Sequence, residues 1–301
     1  MSCAALLAVD WGTSALRGAL LAADGRVLAE HAAPRGLFSV QPGGWAAAFE
    51  AEFGAWLAAH PGLPCLMAGM VGSRQGWVEA PYCACPANLA DLAARLCWVQ
   101  PGRVAIVPGL SVEDHGLPDV MRGEETQVFG ALALLGLDGA TLVLPGTHSK
   151  WVTVQGGRIT HFATHMTGEV YALLRQQSIL SRTLPADDAV WVAEAFDCGV
   201  AQAQAPGGLL HHLFAVRTLA LFDRDDGPSL ACYLSGLLIG DELRAQALPA
   251  GQAVVAVGSA VLTARYQRAL AQRGHPVRCV GGEAGWTGLL ALSTMSATVG
   301  G

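Results

Sequence analysis

One pattern, written twice, constrains this chain more than any other feature. Residues 6–21 read LLAVDWGTSALRGALL, in which an apolar run stops at Asp10-Trp11-Gly12-Thr13-Ser14 and resumes as Ala19-Leu20-Leu21 before Asp24-Gly25. Two apolar runs across a short turn of small and polar residues predict a β-hairpin, and Gly25 to Glu30 should add a third antiparallel strand. Residues 141–159, TLVLPGTHSKWVTVQGGRI, repeat the design. Gly146-Thr147 falls where Gly12-Thr13 fell, Lys150 where Arg17 was, and Gly157-Arg158-Ile159 echoes Gly25-Arg26-Val27, with a return strand two residues shorter. The repetition predicts a duplicated half, hence two related α/β lobes, roughly 1–138 and 139–301, with the final helix free to pack back across the boundary.

The turns suggest what the lobes hold. A glycine for close backbone approach, hydroxyls and free N–H groups together suit a phosphate. Asp10 would repel a bare phosphate, so its presence makes sense if a cation such as Mg²⁺ lies between. An isolated D-x-G-T-S is equally an ordinary tight turn with Asp at its first position. Two such turns, one opening each half, favour a nucleotide site between the lobes.

Composition removes other classes. The formal net charge is −6 with no run of Lys or Arg, whereas nucleic acid and anionic membrane surfaces call for clustered basic residues. The N-terminus runs into the first strand without a basic leader, and the longest apolar stretch in a helical setting, Leu230 to Ile239, is too short to span a bilayer. The expectation is a soluble, cytoplasmic protein. Of eight cysteines only Cys83 and Cys85 are close, and C-x-C without a second pair is a poor metal signature. His161 and His165 share i,i+4 spacing in a strand-to-loop stretch, and His211 and His212 are adjacent; all read as surface or satisfied core groups.

Between the hairpins, Trp45, Phe49, Phe53, Trp56 and Leu57 recur at helical spacing and predict a packing helix. Cys65 to Val71 reads as a buried parallel strand followed by Gly72-Ser73-Arg74-Gln75-Gly76-Trp77. Polar groups just past the carboxyl end of such a strand line ligand crevices, so Ser73 and Arg74 are candidates; Arg74 could equally pair with Glu79. Asn88 to Cys97 predicts a helix and Arg103 to Pro108 a buried strand. Asp119 to Gln127 should begin another helix, with Glu124 and Glu125 in its first turn beside Arg122. Acids there complement the helix dipole on any surface. The functional alternative is a general base, which an alcohol acceptor needs in order to lose its proton as it attacks phosphorus.

In the second half Thr167 should cap a helix from Gly168 to Leu180, and Ala189–Phe196, His212–Phe222 and Pro228–Ala247 read as further helices. Two strand–turn–helix passages follow, through Gly258-Ser259 and through Gly281-Gly282, the second helix running to Ala291. Such turns let a flat base or ribose approach backbone. No G-x-G-x-x-G follows a first strand, which disfavours a dinucleotide fold.

With these residues in view the chain resembles the superfamily of acetate and sugar kinases, Hsp70 and actin, and more narrowly the 2-dehydro-3-deoxygalactonokinase family. The matching strings are Val9 to Ser14 with Arg17, Gly69 to Trp77, Val120 to Gln127, Leu144 to Trp151, Met166 to Glu169 and Tyr233 to Gly240, in order along nearly the whole chain. The resemblance implies two lobes of ribonuclease H-like type, the actin-like ATPase fold, around ATP. It implies transfer of the γ-phosphoryl of Mg·ATP to the C6 hydroxyl of 2-dehydro-3-deoxy-D-galactonate, a small sugar acid, in galactonate catabolism. By the same analogy Asp10 would hold Mg²⁺ through water. Gly12, Thr13 and Ser14 with Gly146 and Thr147 would clasp the phosphates, and Gly258-Ser259 and Gly281-Gly282 would flank adenosine. Trp11, Arg17, Ser73, Arg74 and Arg122 are candidates for the acceptor and phosphate side. Related sugar kinases place an aspartate base where this chain has Glu124 and Glu125, so the choice between the two stays open, with Glu124 favoured.

Three rivals remain: a kinase for another sugar or sugar acid, a non-catalytic ATP- or sugar-binding regulator, and a chaperone-type ATPase. The regulator would have no need of a base, and the chaperone would want a separate peptide-binding domain. Oligomeric state is not legible, and a homo-oligomer is left open.

Overall fold

The computed structural model describes residues 3–185 and 190–299. In chain order the elements are β1 (Ala4–Trp11), β2 (Leu16–Ala22), β3 (Val27–Ala33), α1 (Trp45–Ala59), β4 (Cys65–Ala68), β5 (Cys83–Ala84), α2 (Leu89–Ala93), β6 (Cys97–Gln100), β7 (Val104–Ile106), β8 (Leu110–Asp114), β9 (Leu117–Met121) and α3 (Glu124–Leu135). There follow β10 (Ala140–Leu144), β11 (Ser149–Gln155), β12 (Arg158–His165), α4 (Thr167–Gln177), α5 (Ala193–Gln202), α6 (Gly208–Leu221), α7 (Gly227–Ala245), β13 (Val254–Val257), α8 (Ala260–Gln272), β14 (Val277–Val280) and α9 (Glu283–Val299). The chain divides into two compact units. The first is Met1–Ala140 with Val152–Phe162 and Val280–Gly301, and the second is Thr141–Trp151 with Ala163–Cys279. Among the described residues no helix is long and apolar enough to cross a membrane.

The first unit is built on a sheet of order β3-β2-β1-β4-β7-β6. β1, β2 and β3 form an antiparallel meander in which Asp10 lies opposite Arg17, while β4 runs parallel to β1 and places Ala68 beside Asp10. Helix α1 turns Trp45, Phe49, Phe53 and Leu57 into the core with Trp11, Met67 and Ile106. The other long sheet has the order β12-β11-β10-β13-β14, with β10 and β13 parallel. Counted in chain order within each sheet, both begin third, second, first, fourth, as expected for a duplication of the hairpins, and they differ beyond that, where the first sheet adds β7 and then β6 and the second only β14. β2 and β11 are both seven residues long. The shortening in the second copy therefore lies in the turn that follows, residues 156–157 against 23–26.

The second unit's core surrounds α7, which buries most of its residues because its sequence is apolar on every face. It crosses α5 at glycines: a Cβ on Gly199 would stand 2.1 Å from the Tyr233 carbonyl oxygen, and one on Gly236 2.0 Å from that of Phe196. The first unit repeats the device where α3 meets α9. A Cβ on Gly130 would lie 1.8 Å from the Ala284 oxygen, and one on Gly288 1.8 Å from the Thr126 oxygen. Since backbone on both sides cannot recede, Gly288→Ala should destabilise the first unit by more than about 2 kcal/mol. A urea midpoint unchanged in that variant would mean the helices can separate at no cost.

Several local expectations are corrected. Asp119–Met121 belong to a strand, not to the start of a helix: β8 and β9 form a hairpin whose turn, His115-Gly116, has positive φ at both residues (49° and 78°). That is the mirror-image turn antiparallel strands favour, and Asp114-His115-Gly116 was its overlooked signal. Gly123, at φ 107°, then breaks the chain direction, so α3 begins at Glu124. The helix read over Asn88–Cys97 is only Leu89–Ala93, closed by a reciprocal Asn88–Asp91 cap, and Cys97 enters β6. Thr167 is the first residue of α4 and not its cap, a place taken by Met166. α6 starts at Gly208, α5 at Ala193, and α9 continues to Val299. Ala189, the start of the helix read over 189–196, lies outside the described residues, as do Met1 and Ser2.

Candidate active site

Asp10 and the first turn stand at the carboxyl end of β1. The Asp10 side chain is 29% exposed, and its Oδ2 accepts from Arg17 Nη2 at 2.5 Å, a consequence of their cross-strand register. Gly12 N–H closes the turn on the Ala15 carbonyl at 2.9 Å, and Gly12 C=O accepts from Leu37 N–H at 3.0 Å. Thr13 and Ser14 are exposed. Gly36 packs directly beneath them: a Cβ there would stand 2.1 Å from the Thr13 oxygen.

Gly69 ties this turn to the start of α3. At φ 94° it follows β4, and a Cβ on it would approach the Trp11 oxygen at 2.8 Å and Asp10 Oδ1 at 3.3 Å. Gly123, ahead of α3, sits with its Cβ direction 3.2 Å from the Gly69 Cα. The end of β1, the end of β4 and the start of α3 therefore meet at two glycines. This brings Asp10, Ser73, Arg122, Glu124 and Glu125 into one region of the first unit.

The two glutamates differ sharply. Glu124 is partly exposed and its Oε2 accepts from the Arg122 N–H at 3.0 Å. Glu125 is fully buried; Oε2 accepts from Gly123 N–H at 2.7 Å and Oε1 has no partner. Burial, with repulsion from Glu124 second, pushes the Glu125 carboxyl up to about 8. The folded protein thus holds a proton that the unfolded chain releases near 4.5, so the stability this carboxyl supports is full below that pH. It is lost as pH rises towards 8. Glu125→Gln, which keeps an acceptor for Gly123, should flatten that decline, and urea midpoints at pH 5 and pH 8 falling equally in wild type and variant would count against it.

The arginines separate in the same way. Arg74 has a side chain 86% exposed and pairs with Glu79 at 3.1 Å. Arg122 stacks over Tyr82, 4.3 Å from the ring centroid, and donates from Nη2 to the Ala80 carbonyl, while its Nε and Nη1 find no partner. Ser73 Oγ is likewise buried without one. Trp11 is fully buried, donates from Nε1 to the Arg35 carbonyl at 2.8 Å and packs edge-on against Trp45, which makes it a core side chain.

The second turn, in the second unit, is gripped by the start of α4. Gly168 lies so close that a Cβ would stand 2.3 Å from the Gly146 oxygen, Glu169 N–H donates to the Thr147 carbonyl at 3.0 Å, and His148 pairs with Glu169 at 2.5 Å. Lys150, the counterpart of Arg17, is buried, with Nζ donating to Thr164 Oγ1 at 2.8 Å. Gly258 and Ser259 join β13 to α8, Gly258 with φ 148° and its Cβ direction 3.7 Å from the Pro145 oxygen. Gly281 N–H donates to Glu283 Oε1 at 2.9 Å at the start of α9.

What the fold does not explain is equally informative. A Cβ on Gly12 or Gly146 would meet nothing nearer than 3.7 or 3.8 Å, and one on Gly282 nothing within 4 Å, and none of the three has positive φ. Packing would tolerate a larger residue at each, whereas a ligand approaching the backbone would not. Among the described residues no group of three or more His, Cys, Asp or Glu stands together. A lone carboxylate, Asp10, beside a turn with open space at Gly12 would nonetheless suit Mg²⁺, which keeps several waters and takes one or two carboxylates plus phosphate oxygens. Missed by the sequence reading altogether was Glu242, a buried acid inside α7 whose only signal was a charge in an apolar helix.

The model of the family described as 2-keto-3-deoxy-galactonokinase matches residues 10–292. The chain is 38% identical over 279 residues to the probable 2-dehydro-3-deoxygalactonokinase DgoK1 of Rhizobium meliloti, covering 91% of each. It is 35% identical over 279 residues to the 2-dehydro-3-deoxygalactonokinase of Escherichia coli, covering 92% of this chain and 93% of that one. A Sinorhizobium meliloti crystal structure, provisionally assigned as a 2-dehydro-3-deoxygalactonokinase, superposes with a TM-score of 0.88 at 35% identity over 98% of this chain and 99% of its own. The activator of the 2-hydroxyisocaproyl-CoA dehydratase from Clostridium difficile, with bound ADPNP, shares the fold at a TM-score of 0.53 and 12% identity, over 98% and 96% of the two chains. On the length and identity of these matches, this chain belongs to the 2-keto-3-deoxy-galactonokinase family.

Proposed function

We propose that this protein is an ATP-dependent sugar-acid kinase that phosphorylates the C6 hydroxyl of 2-dehydro-3-deoxy-D-galactonate. The observation that carries the reading is the pair of strand–turn hairpins whose glycines, Gly12 and Gly146, leave space beside the backbone that packing does not use. Family membership supplies the acceptor class. Gly12, Thr13 and Ser14 of one turn and Gly146 and Thr147 of the other bind the ATP phosphates, with Gly258-Ser259 and Gly281-Gly282 beside adenosine. Asp10, oriented by Arg17, would hold Mg²⁺ through water, and the ion would neutralise charge on the phosphoryl oxygens.

The acceptor side is Ser73 and Arg122, whose unmet hydrogen-bonding capacity a sugar-acid carboxylate would satisfy. Arg74 lies at its outer rim. Glu124 receives the proton of the C6 hydroxyl as that oxygen bonds to the γ-phosphorus and the bond to the bridging oxygen of ADP breaks. Residues 1–138 then supply base and acceptor groups and residues 139–301 the second phosphate turn.

The test is ATP consumption with Mg²⁺ against 2-dehydro-3-deoxy-D-galactonate, its gluconate epimer, glycerol and no acceptor. Turnover highest with the galactonate compound is expected. Preference for the epimer would reassign the substrate, and no stimulation by any acceptor would sink the kinase reading.

A further inference from the structure

Behind the second turn lies a buried carboxylate that phosphate binding does not itself require. Glu242, on α7, is only 3% exposed. Its Oε1 accepts from Ser149 Oγ at 2.8 Å and Trp151 Nε1 at 2.6 Å, and its Oε2 accepts from Tyr266 OH at 2.7 Å and from Thr167 Oγ1. The donors come from β11, α8 and the first residue of α4, and Ser149 comes two residues after Thr147. One buried group therefore fixes the strand that leaves the turn, the helix that grips it and the helix that follows Gly258-Ser259.

The mechanical link is short. Thr167, held by Glu242, is followed by Gly168, where a Cβ would stand 2.3 Å from the Gly146 oxygen, and by Glu169, whose N–H binds the Thr147 carbonyl and whose carboxylate holds His148. Four donors converge on one side chain, and a carboxylate can accept them all. Loss of one leaves a buried polar group unmatched, which the neighbouring backbone can relieve only by moving.

We propose that Glu242 is a positioning residue for ATP: through Thr167 and Ser149 it holds the Gly146-Thr147 backbone in the shape that receives phosphate. This rests on the reading of that turn as a phosphate site. A purely structural anchor would lower stability without favouring one substrate over the other.

The experiment is two-substrate kinetics, with binding of a non-hydrolysable ATP analogue, on Thr167→Val, Thr167→Ser and Glu242→Gln. Thr167→Val should raise the KM for ATP about tenfold, the equivalent of one lost hydrogen bond to a charged group, and leave the KM for the sugar acid unchanged. Thr167→Ser, which keeps the hydroxyl, should restore the ATP value. Glu242→Gln should shift it further in the same direction, and if that variant does not fold, the Thr167 pair decides alone. An unchanged KM for ATP in Thr167→Val, or equal shifts for both substrates that serine does not rescue, overturns the proposal. If wild type phosphorylates no sugar acid yet analogue binding weakens in Thr167→Val and recovers in Thr167→Ser, the acceptor assignment falls and the positioning role stands. If wild type binds no analogue at all, both fall.

Discussion

Asp10→Ala should fold normally and lose phosphoryl transfer, with kcat reduced by about 10³-fold or more, the scale expected when charge neutralisation at a reacting phosphoryl group is removed. The folding half of the expectation follows from the environment of the side chain. The Asp10 side chain is 29% exposed at a strand end and pairs with Arg17, itself 56% exposed. An exposed pair of that kind contributes about 1 kcal/mol at most. The β1 residues that sustain the core, Leu7, Val9 and Trp11, are untouched. Asp10→Asn separates charge from shape, because the amide retains the volume and a hydrogen-bond acceptor for Arg17 but cannot hold a divalent ion comparably. Both variants should therefore fail alike, with an unchanged circular dichroism spectrum. Near-wild-type turnover in either would remove Asp10 from the metal role, and a collapsed spectrum in Asp10→Ala would mean that the turn needs the carboxylate for folding.

The duplicated hairpins were legible because their information is local. Alternating apolar runs, a glycine-bearing turn and a second copy of both specify strand pairing without knowledge of the rest of the chain. The α1 face was legible for the same reason, since Trp45, Phe49, Phe53 and Leu57 carry a helical period that burial then uses. The β8–β9 hairpin was lost because Pro118 and Asp119 look like a helix start, and the deciding signal sat at His115-Gly116, whose positive φ angles no apolar period reveals. Glycines whose demand comes from distant backbone were equally silent. Gly36 is required by Thr13, Gly69 by Trp11, and Gly288 by Thr126, contacts that exist only once the elements have packed. Glu242 shows the same limit at a side chain. Its four donors are separated from it by as many as 93 residues and as few as 24, and nothing near it in sequence announces them.

The choice between Glu124 and Glu125 turns on accessibility, which the sequence could not supply. Both lie in the first turn of α3, and either could complement the helix dipole. Burial separates them: Glu125 has no exposed surface and a carboxyl raised to about 8, so at neutral pH it largely carries a proton already and cannot take another. A base must also come within hydrogen-bond reach of the acceptor hydroxyl, and of the two only Glu124 has exposed surface, which supports the role proposed for it. Glu124→Gln should accordingly lower kcat by about 10²–10⁴-fold, the usual worth of a general base, with the KM values for ATP and sugar acid little changed. Glu125→Gln swaps a protonated acid for its neutral isostere and should retain kcat within a few-fold near pH 7, where a charge at that site would already be disfavoured. Steady-state kinetics on the two variants checks the assignment directly. A large loss in Glu125→Gln with a mild one in Glu124→Gln would reverse the roles, which would require α3's first turn to open before reaction. Equal mild losses would leave both as dipole-complementing acids and place the barrier almost wholly with phosphate positioning and charge.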